Sequence, residues 1–166
     1  MSDAVPIIRQ GGEGERMGFA GGGVFTWKAT AAEIGAAFLL MEDRMEGGKV
    51  TPMHLHPNED EAIYVLEGEL LVNIEDKEHR LGEGGFFFAP RGVPHAFKVT
   101  SESARVLALQ TPGTGESFYR EAGDPVDADD DAAGAPDFAR LQKVAERSES
   151  IEILGPPPFT GAKEPA

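Results

Sequence analysis

Between Val24 and Thr111, apolar residues come in short runs broken by glycine, proline or charge. The runs are residues 24–28, 36–41, 62–67, 70–74, 85–89, 95–100 and 106–110. Short apolar runs at regular spacing, with turn signals between many of them, predict β-strands in a sandwich or barrel. Glu67-Gly68-Glu69 reads as a tight hairpin, with Gly68 supplying a backbone conformation that other residues avoid. Pro90-Arg91-Gly92 reads as a second turn, ending just before a strand that starts at His95. There is no internal repeat, so one barrel is expected.

The flanks differ from this β pattern. Residues 1–23 read as a loose arm interrupted by Gly11, Gly12, Gly14 and Gly21-Gly22-Gly23, with Val5, Ile7 and Ile8 as its one short strand. Residues 113–166 read as a C-terminal extension that packs on the barrel. Within it, residues 116–121 suit a helical turn and the aspartate-rich stretch 124–131 a solvated linker. Residues 136–147 suit a helix, with Pro136 in its first turn and Phe138, Leu141, Val144 and Ala145 on one face. Residues 151–154 suit a last strand, stopped by Gly155-Pro156-Pro157-Pro158.

Three of the chain's four histidines fall in two short stretches of this barrel region. Residues i and i+2 of a strand share a face, so His54 and His56 can reach one ion. Pro57, Asn58 and Asp60 are turn formers that would bring Glu61 back to the same point, and His95 would close the site from a distant strand. Neutral imidazoles with a carboxylate suit one divalent transition ion per chain, whether Mn, Fe, Co, Ni, Cu or Zn. Four protein ligands on an ion preferring six leave two positions for water, substrate or O2. The chain has no cysteine, which excludes a thiolate zinc site and disulfides. His79 sits in a charged run and reads as a solvated turn residue.

Alternation extends the ligand face from Glu61 to Ile63 and Val65, and from His95 to Phe97 and Val99. These side chains are expected to line a substrate pocket, with Phe38 beside them and Phe25, Trp27 and Phe86 to Phe88 as further candidates. No Arg or Lys is expected on that inner face. The pocket therefore suits an apolar or aromatic small molecule with oxygens for the ion.

The two stretches resemble the signature motifs of the cupin superfamily. Gly48, His54, His56, Glu61 and Gly68 match the first motif at every fixed position. Gly84, Pro90, Gly92 and His95 match the second, with Val99 where the family usually has Asn. The resemblance covers roughly residues 35–112. It implies an all-β fold, a double-stranded β-helix or jelly-roll barrel over residues 24–112, here with a helical C-terminal extension. It also implies His54, His56, Glu61 and His95 as metal ligands. Within the superfamily the chain is similar to single-domain bacterial cupins related to quercetin 2,3-dioxygenases. That likeness implies a dioxygenase acting on a flavonol-like or other aromatic enol together with O2, with Glu61 also taking a substrate proton. The alternatives are a non-redox metal-dependent isomerase, cyclase or decarboxylase, and a metal-containing small-molecule binding protein. In such cupins the N-terminal arm often adds to a partner subunit, so a homodimer is expected.

Composition narrows the partners. There are 15 Lys and Arg against 29 Asp and Glu, a net charge of −14. So acidic a surface repels nucleic acid and anionic membranes, so neither is an expected partner. No basic and apolar leader opens the chain, and no run reaches the roughly 18 apolar residues of a membrane span. A cytoplasmic protein is the expectation.

Overall fold

A computed structural model describes residues 4–130 and 135–160. Among the described residues there are twelve strands and three short α-helices. The strands are β1 Arg16–Phe19, β2 Val24–Ala29, β3 Leu39–Glu46, β4 Met53–Leu55, β5 Asp60–Glu67 and β6 Leu70–Ile74. They continue with β7 Lys77–Leu81, β8 Phe86–Ala89, β9 His95–Val99, β10 Ser103–Thr111, β11 Gly123–Pro125 and β12 Glu152–Gly155. The helices are α1 Ala31–Ile34, α2 Glu116–Glu121 and α3 Phe138–Ala145.

All strand pairs are antiparallel. One sheet runs β11-β1-β2-β3-β10-β5-β8 and the other β12-β4-β9-β6-β7. Period-two alternation decides which side chains face inward. In β10 the buried residues are Ala104, Val106, Ala108 and Gln110, and in β3 they include Leu39, Met41 and Met45. These meet Val65, Leu70, Val72, Phe97 and Val99 in one core between the sheets. This is the jelly-roll barrel with a helical extension that the family resemblance implied.

Several elements differ from the sequence reading. The arm contributes a strand, β1, which pairs with both β2 and β11, so the larger sheet recruits residues outside 24–112. No strand forms at Val5 to Ile8, where Val5 and Ile8 are exposed. His79 lies in edge strand β7 opposite Val72, exposed but not in a turn. The turn is Glu75-Asp76, both at positive φ. Such two-residue hairpins usually carry Asn-Gly or Asp-Gly; here the charged run marks the turn, which sits at its start and not at His79. Part of the aspartate-rich stretch, residues 131–134, lies outside the described residues. Helix α3 begins after Asp137, whose side chain accepts from Arg140 N and caps it, so Pro136 precedes the helix.

The helices and the C-terminal segment form a second core. Phe118 and Ala122 join Ala20, Leu141, Val144, Ala145 and Ile151 against the barrel. The expected face of α3 is thus the packed one.

The Gly68 turn combines two demands. Its φ is +82°, and a Cβ there would lie 2.3 Å from Ser103 O. Gly68→Ala is expected to destabilise the fold by about 2 kcal/mol or more through strain and collision. Urea melts check this, and a variant as stable as the parent would show that the turn can relax.

A candidate metal centre between the two sheets

The four expected ligands come from both sheets. His54 in β4 lies directly opposite His95 in β9. His56 follows β4, held where its carbonyl accepts from Gly92 N at 2.8 Å. Glu61 faces them from β5 in the larger sheet, flanked by Ala89 of β8 and Gln110 of β10. Strand pairing therefore brings together residues 41 positions apart (95 − 54) without help from any linker.

Asp60 binds the two motifs to each other. Its Oδ1 accepts from Arg91 N at 2.9 Å, and its carboxylate also accepts from the Arg91 guanidinium. These bonds hold the Asp60 carboxyl at about 2, below the usual carboxylate range. Asp60 thus opens β5 and pins the Pro90-Arg91-Gly92 turn, where the sequence reading gave it only a turn-forming role.

One ligand atom from each of His54, His56, Glu61 and His95 lies within 4.8 Å of the others, and all four residues are buried. The imidazoles are aimed by the backbone. The Nδ1 atoms of His54, His56 and His95 meet the carbonyls of Pro52, Ser150 and Val93 at 2.9, 2.8 and 2.9 Å. A carbonyl can only accept, so each neutral ring carries its proton on Nδ1. The Nε2 atoms then point inward, those of His54 and His56 as lone pairs and that of His95 sharing a proton with Glu61. His95 Nε2 lies 2.8 Å and His56 Nε2 3.8 Å from the Glu61 oxygens. Inward nitrogen lone pairs beside a carboxylate are a donor set that calls for a cation, with carbonyls orienting the rings from behind. The residues fit one divalent transition ion.

The electrostatics agree. Burial is the main reason the His54 pKa falls to about 3, aided by the neighbouring His95 and His56. Burial opposes ionisation of Glu61, but the His95 hydrogen bond and the three imidazoles outweigh it and hold its carboxyl below the usual range. Burial lowers the His95 pKa, and its bond to Glu61 outweighs that and raises it. His54 is therefore a ready neutral ligand, while His95 must surrender its proton to bind an ion.

His54, His56 and Glu61 open onto a cavity of about 90 Å³, with His95 buried behind them. Ile63 and Phe97 line it, as expected. Val65, Val99 and Phe38 do not. Val65 and Val99 lie one inward position further from the ligands and are sealed in the core. Phe38 precedes β3 on the parity opposite to inward Leu39 and Met41, and is only half-buried. Phe25 lines the cavity, Trp27 and Phe87 are core, and Phe86 and Phe88 face outward. Val99, in place of the usual Asn, packs in the core while its N–H bonds Lys49 O at 2.9 Å.

The structure adds residues that the sequence reading missed. Lys49 and Asp43 line the cavity, correcting the expectation that no Lys or Arg does so. Lys49 sits after the Gly47-Gly48 turn rather than in a strand, where alternation could not place it. Gln110 is fully buried, with Nε2 donating to Tyr119 Oη at 2.7 Å and reaching Glu61 Oε1 at 3.4 Å. A glutamine at the inward parity of β10 was the signal for it. Tyr119, Phe118, Leu141 and Ile151 line the cavity from the C-terminal extension, and Ser150, which orients His56, has no local motif to mark it.

Removing a ligand should remove the ion. His54→Ala, His56→Ala and His95→Ala are each expected to lower cobalt affinity by at least about 100-fold, and Gln110→Leu by about tenfold. Binding should also release protons in mildly acid buffer, so that affinity falls as pH falls through the His95 titration. Competition against a chelator with proton-release titration reads both. Unchanged affinity in His95→Ala would contradict the centre.

Comparisons with known proteins follow the same lines. The cupin domain family matches residues 41–110, which include all four ligands. The quercetin 2,3-dioxygenase of Bacillus subtilis is 27% identical over 92% of this chain and 45% of its own length. The tetracenomycin polyketide synthase protein TcmJ of Streptomyces glaucescens is 32% identical over 57% of each chain. The chain thus spans about half the length of these curated relatives. Among solved structures, an RmlC-like cupin from Shewanella frigidimarina superposes with a TM-score of 0.59 at 21% identity, over 69% of this chain and 96% of that one. Residues 41–110 thus match the cupin domain family, the fold is the cupin double-sheet fold, and the chain resembles the quercetin 2,3-dioxygenase-like cupins.

Proposed function

We propose that this protein is a metal-dependent dioxygenase acting on a flavonol-like or other aromatic enol substrate, with O2 as the second substrate. The observation that carries the reading is the buried three-His, one-Glu cluster opening onto a cavity walled by Phe19, Phe25, Phe97 and Phe118. The likeness to a quercetin 2,3-dioxygenase supports it. A divalent transition ion held by His54, His56, Glu61 and His95 would supply Lewis-acid polarisation of the substrate oxygens and a place for O2 beside them.

The chain's own residues do the rest. The aromatic walls bind a planar ring and exclude water, which brings the reactants together and strengthens the electrostatics inside. Glu61 is the only carboxylate among the four clustered residues, and its oxygens face the cavity, so it is the group placed to accept the proton of the substrate hydroxyl. Gln110 Nε2 steadies Glu61 Oε1 while donating to Tyr119. At about 90 Å³ the cavity is small beside the roughly 300–1,000 Å³ of a drug-sized ligand site, so a single-ring enol suits it better than a flavonol. A flavonol would need the wall formed by Leu141 of α3 and Ile151 to move aside.

A second reading keeps the metal and drops oxygen: an isomerase, cyclase or decarboxylase using the ion as a Lewis acid. The observation favouring it is the Asp43–Lys49 pair in the cavity, a potential acid and base that ring dioxygenation does not require.

Oxygen uptake by metal-free protein reconstituted with Mn, Fe, Co, Ni, Cu and Zn in turn separates the two. With quercetin and smaller enols as substrates, uptake should depend on the ion and vanish in His54→Ala. Glu61→Gln should lose at least about 100-fold in rate if Glu61 is the base. Turnover with zinc in the absence of oxygen would move the assignment to the Lewis-acid reading.

A homodimer belongs to the same proposal. Ile8 in the arm, and Tyr64, Phe86 and Phe88 on the outer face of β5 and β8, are large exposed apolar side chains that a second copy could cover. Sedimentation equilibrium should give twice the chain mass, and a monomer at every concentration would refute it. No helix among the described residues is long and apolar enough to cross a membrane.

A further inference from the structure

The Asp43–Lys49 pair is unusual for its place. The two side chains are only 19% and 7% exposed, with Lys49 Nζ 3.2 Å from Asp43 Oδ2. Both line the cavity that holds the metal ligands. Lys49 Nζ also lies 5.8 Å from the ring centroids of Phe19 and of Phe97, two further cavity walls. Asp43 Oδ1 is buried and has no hydrogen-bond partner among the described residues. A buried carboxylate oxygen left unpaired is costly unless a donor reaches it in use.

Gly23 packs closely behind this oxygen. Gly23 adopts φ +94°, and a Cβ there would lie 3.0 Å from Asp43 Oδ1 and 3.1 Å from Lys49 Nζ. Any side chain at this position would crowd both polar atoms. Glycine thus lets the backbone approach the pair without displacing either side chain from the cavity wall.

Strand register sets the pair's distance from the metal ligands. Glu61 lies level with Gln110 and Leu39, and Asp43 lies level with Val106 and Val65. One layer, formed by Ile63, Ala108 and Met41, separates these two levels, and all three of its members line the cavity. Four residues along a strand is about 13 Å, a span that a single ring with a substituent on each edge, bound to an ion at one end, can bridge.

We propose that Asp43 and Lys49 recognise a hydroxyl group on the substrate edge opposite its metal-chelating oxygens. Lys49 donates a hydrogen bond to the hydroxyl oxygen, and the hydroxyl donates its own to the Asp43 carboxylate. This deepens the aromatic-enol reading and rests on it. The substrate class narrows to a single enolic or phenolic ring with chelating oxygens on one edge and a hydroxyl on the other. Asp43 disfavours a carboxylate or phosphate at that end, because a second anion beside it would be repelled in a site with little water. A methyl group there would leave Oδ1 unpaired.

Two hydroxypyranones test this. Allomaltol and kojic acid chelate through the same pair of oxygens and differ across the ring, where allomaltol carries a methyl and kojic acid a hydroxymethyl. Each is titrated into the full chain loaded with cobalt(II), and binding is followed by the cobalt absorption bands. Kojic acid should bind about tenfold more tightly than allomaltol. In Asp43→Asn and Lys49→Met that preference should shrink to about twofold or less, with cobalt content and allomaltol affinity retained. The cobalt content shows that each variant is folded, and either variant alone suffices if the other fails to load. Equal affinity of the two pyranones for the unaltered protein, with both perturbing the cobalt bands, would overturn the hydroxyl subsite and leave the chelation reading standing. A full preference retained in both variants would overturn it too. If neither compound perturbs the bands, the chelation reading itself fails and this inference fails with it.

Discussion

A carboxylate and three imidazoles buried between two sheets set the terms for the rest of this structure. Burying an ionised carboxylate is expensive unless positive charge or hydrogen bonds meet it. Here the nearest groups are imidazole nitrogens whose other faces are committed to backbone carbonyls. Without an ion, His95 shares a proton with Glu61 and carries the compensation, which is why its pKa is raised while that of Glu61 is depressed. With an ion, the same atoms become a ligand set. The barrel supplies both walls: Glu61 from the larger sheet, His54 and His95 from the smaller.

The C-terminal extension is part of this arrangement rather than an ornament on it. Ser150 O orients His56, and Asn58 Nδ2 donates to Glu149 O beside it at 2.9 Å. Leu141 and Ile151 wall the cavity, and Tyr119 reaches Gln110. One short segment thus aims a ligand, closes the cavity and limits its size.

The ligands were legible in the sequence because strand alternation and turn residues leave a spacing that few other arrangements produce. His54 and His56 share a face two residues apart, and Pro90-Arg91-Gly92 announces the turn before His95. The larger strands were legible for the same reason, each inward residue of β5 and β10 being apolar except Glu61 and Gln110. Register was not. Whether Val65 or Ile63 borders the cavity depends on where the two sheets seal, which alternation alone does not record. Lys49 was hidden because it follows a glycine turn, and β1 because glycines surround it. Edge strand β7 was hidden because exposed charge on an edge looks like a loop. Ser150 acts through a backbone carbonyl, which any residue at that position would supply.

The central claim, that three imidazoles and one carboxylate converge on a single ion, is best met by X-ray absorption spectroscopy of the zinc-loaded protein. The account predicts a first shell of nitrogen and oxygen at about 2.0–2.2 Å with outer-shell scattering from three imidazole rings. It also predicts loss of one ring in His95→Ala. A shell with fewer than three imidazoles in the unaltered protein, or one unchanged by that substitution, would contradict it.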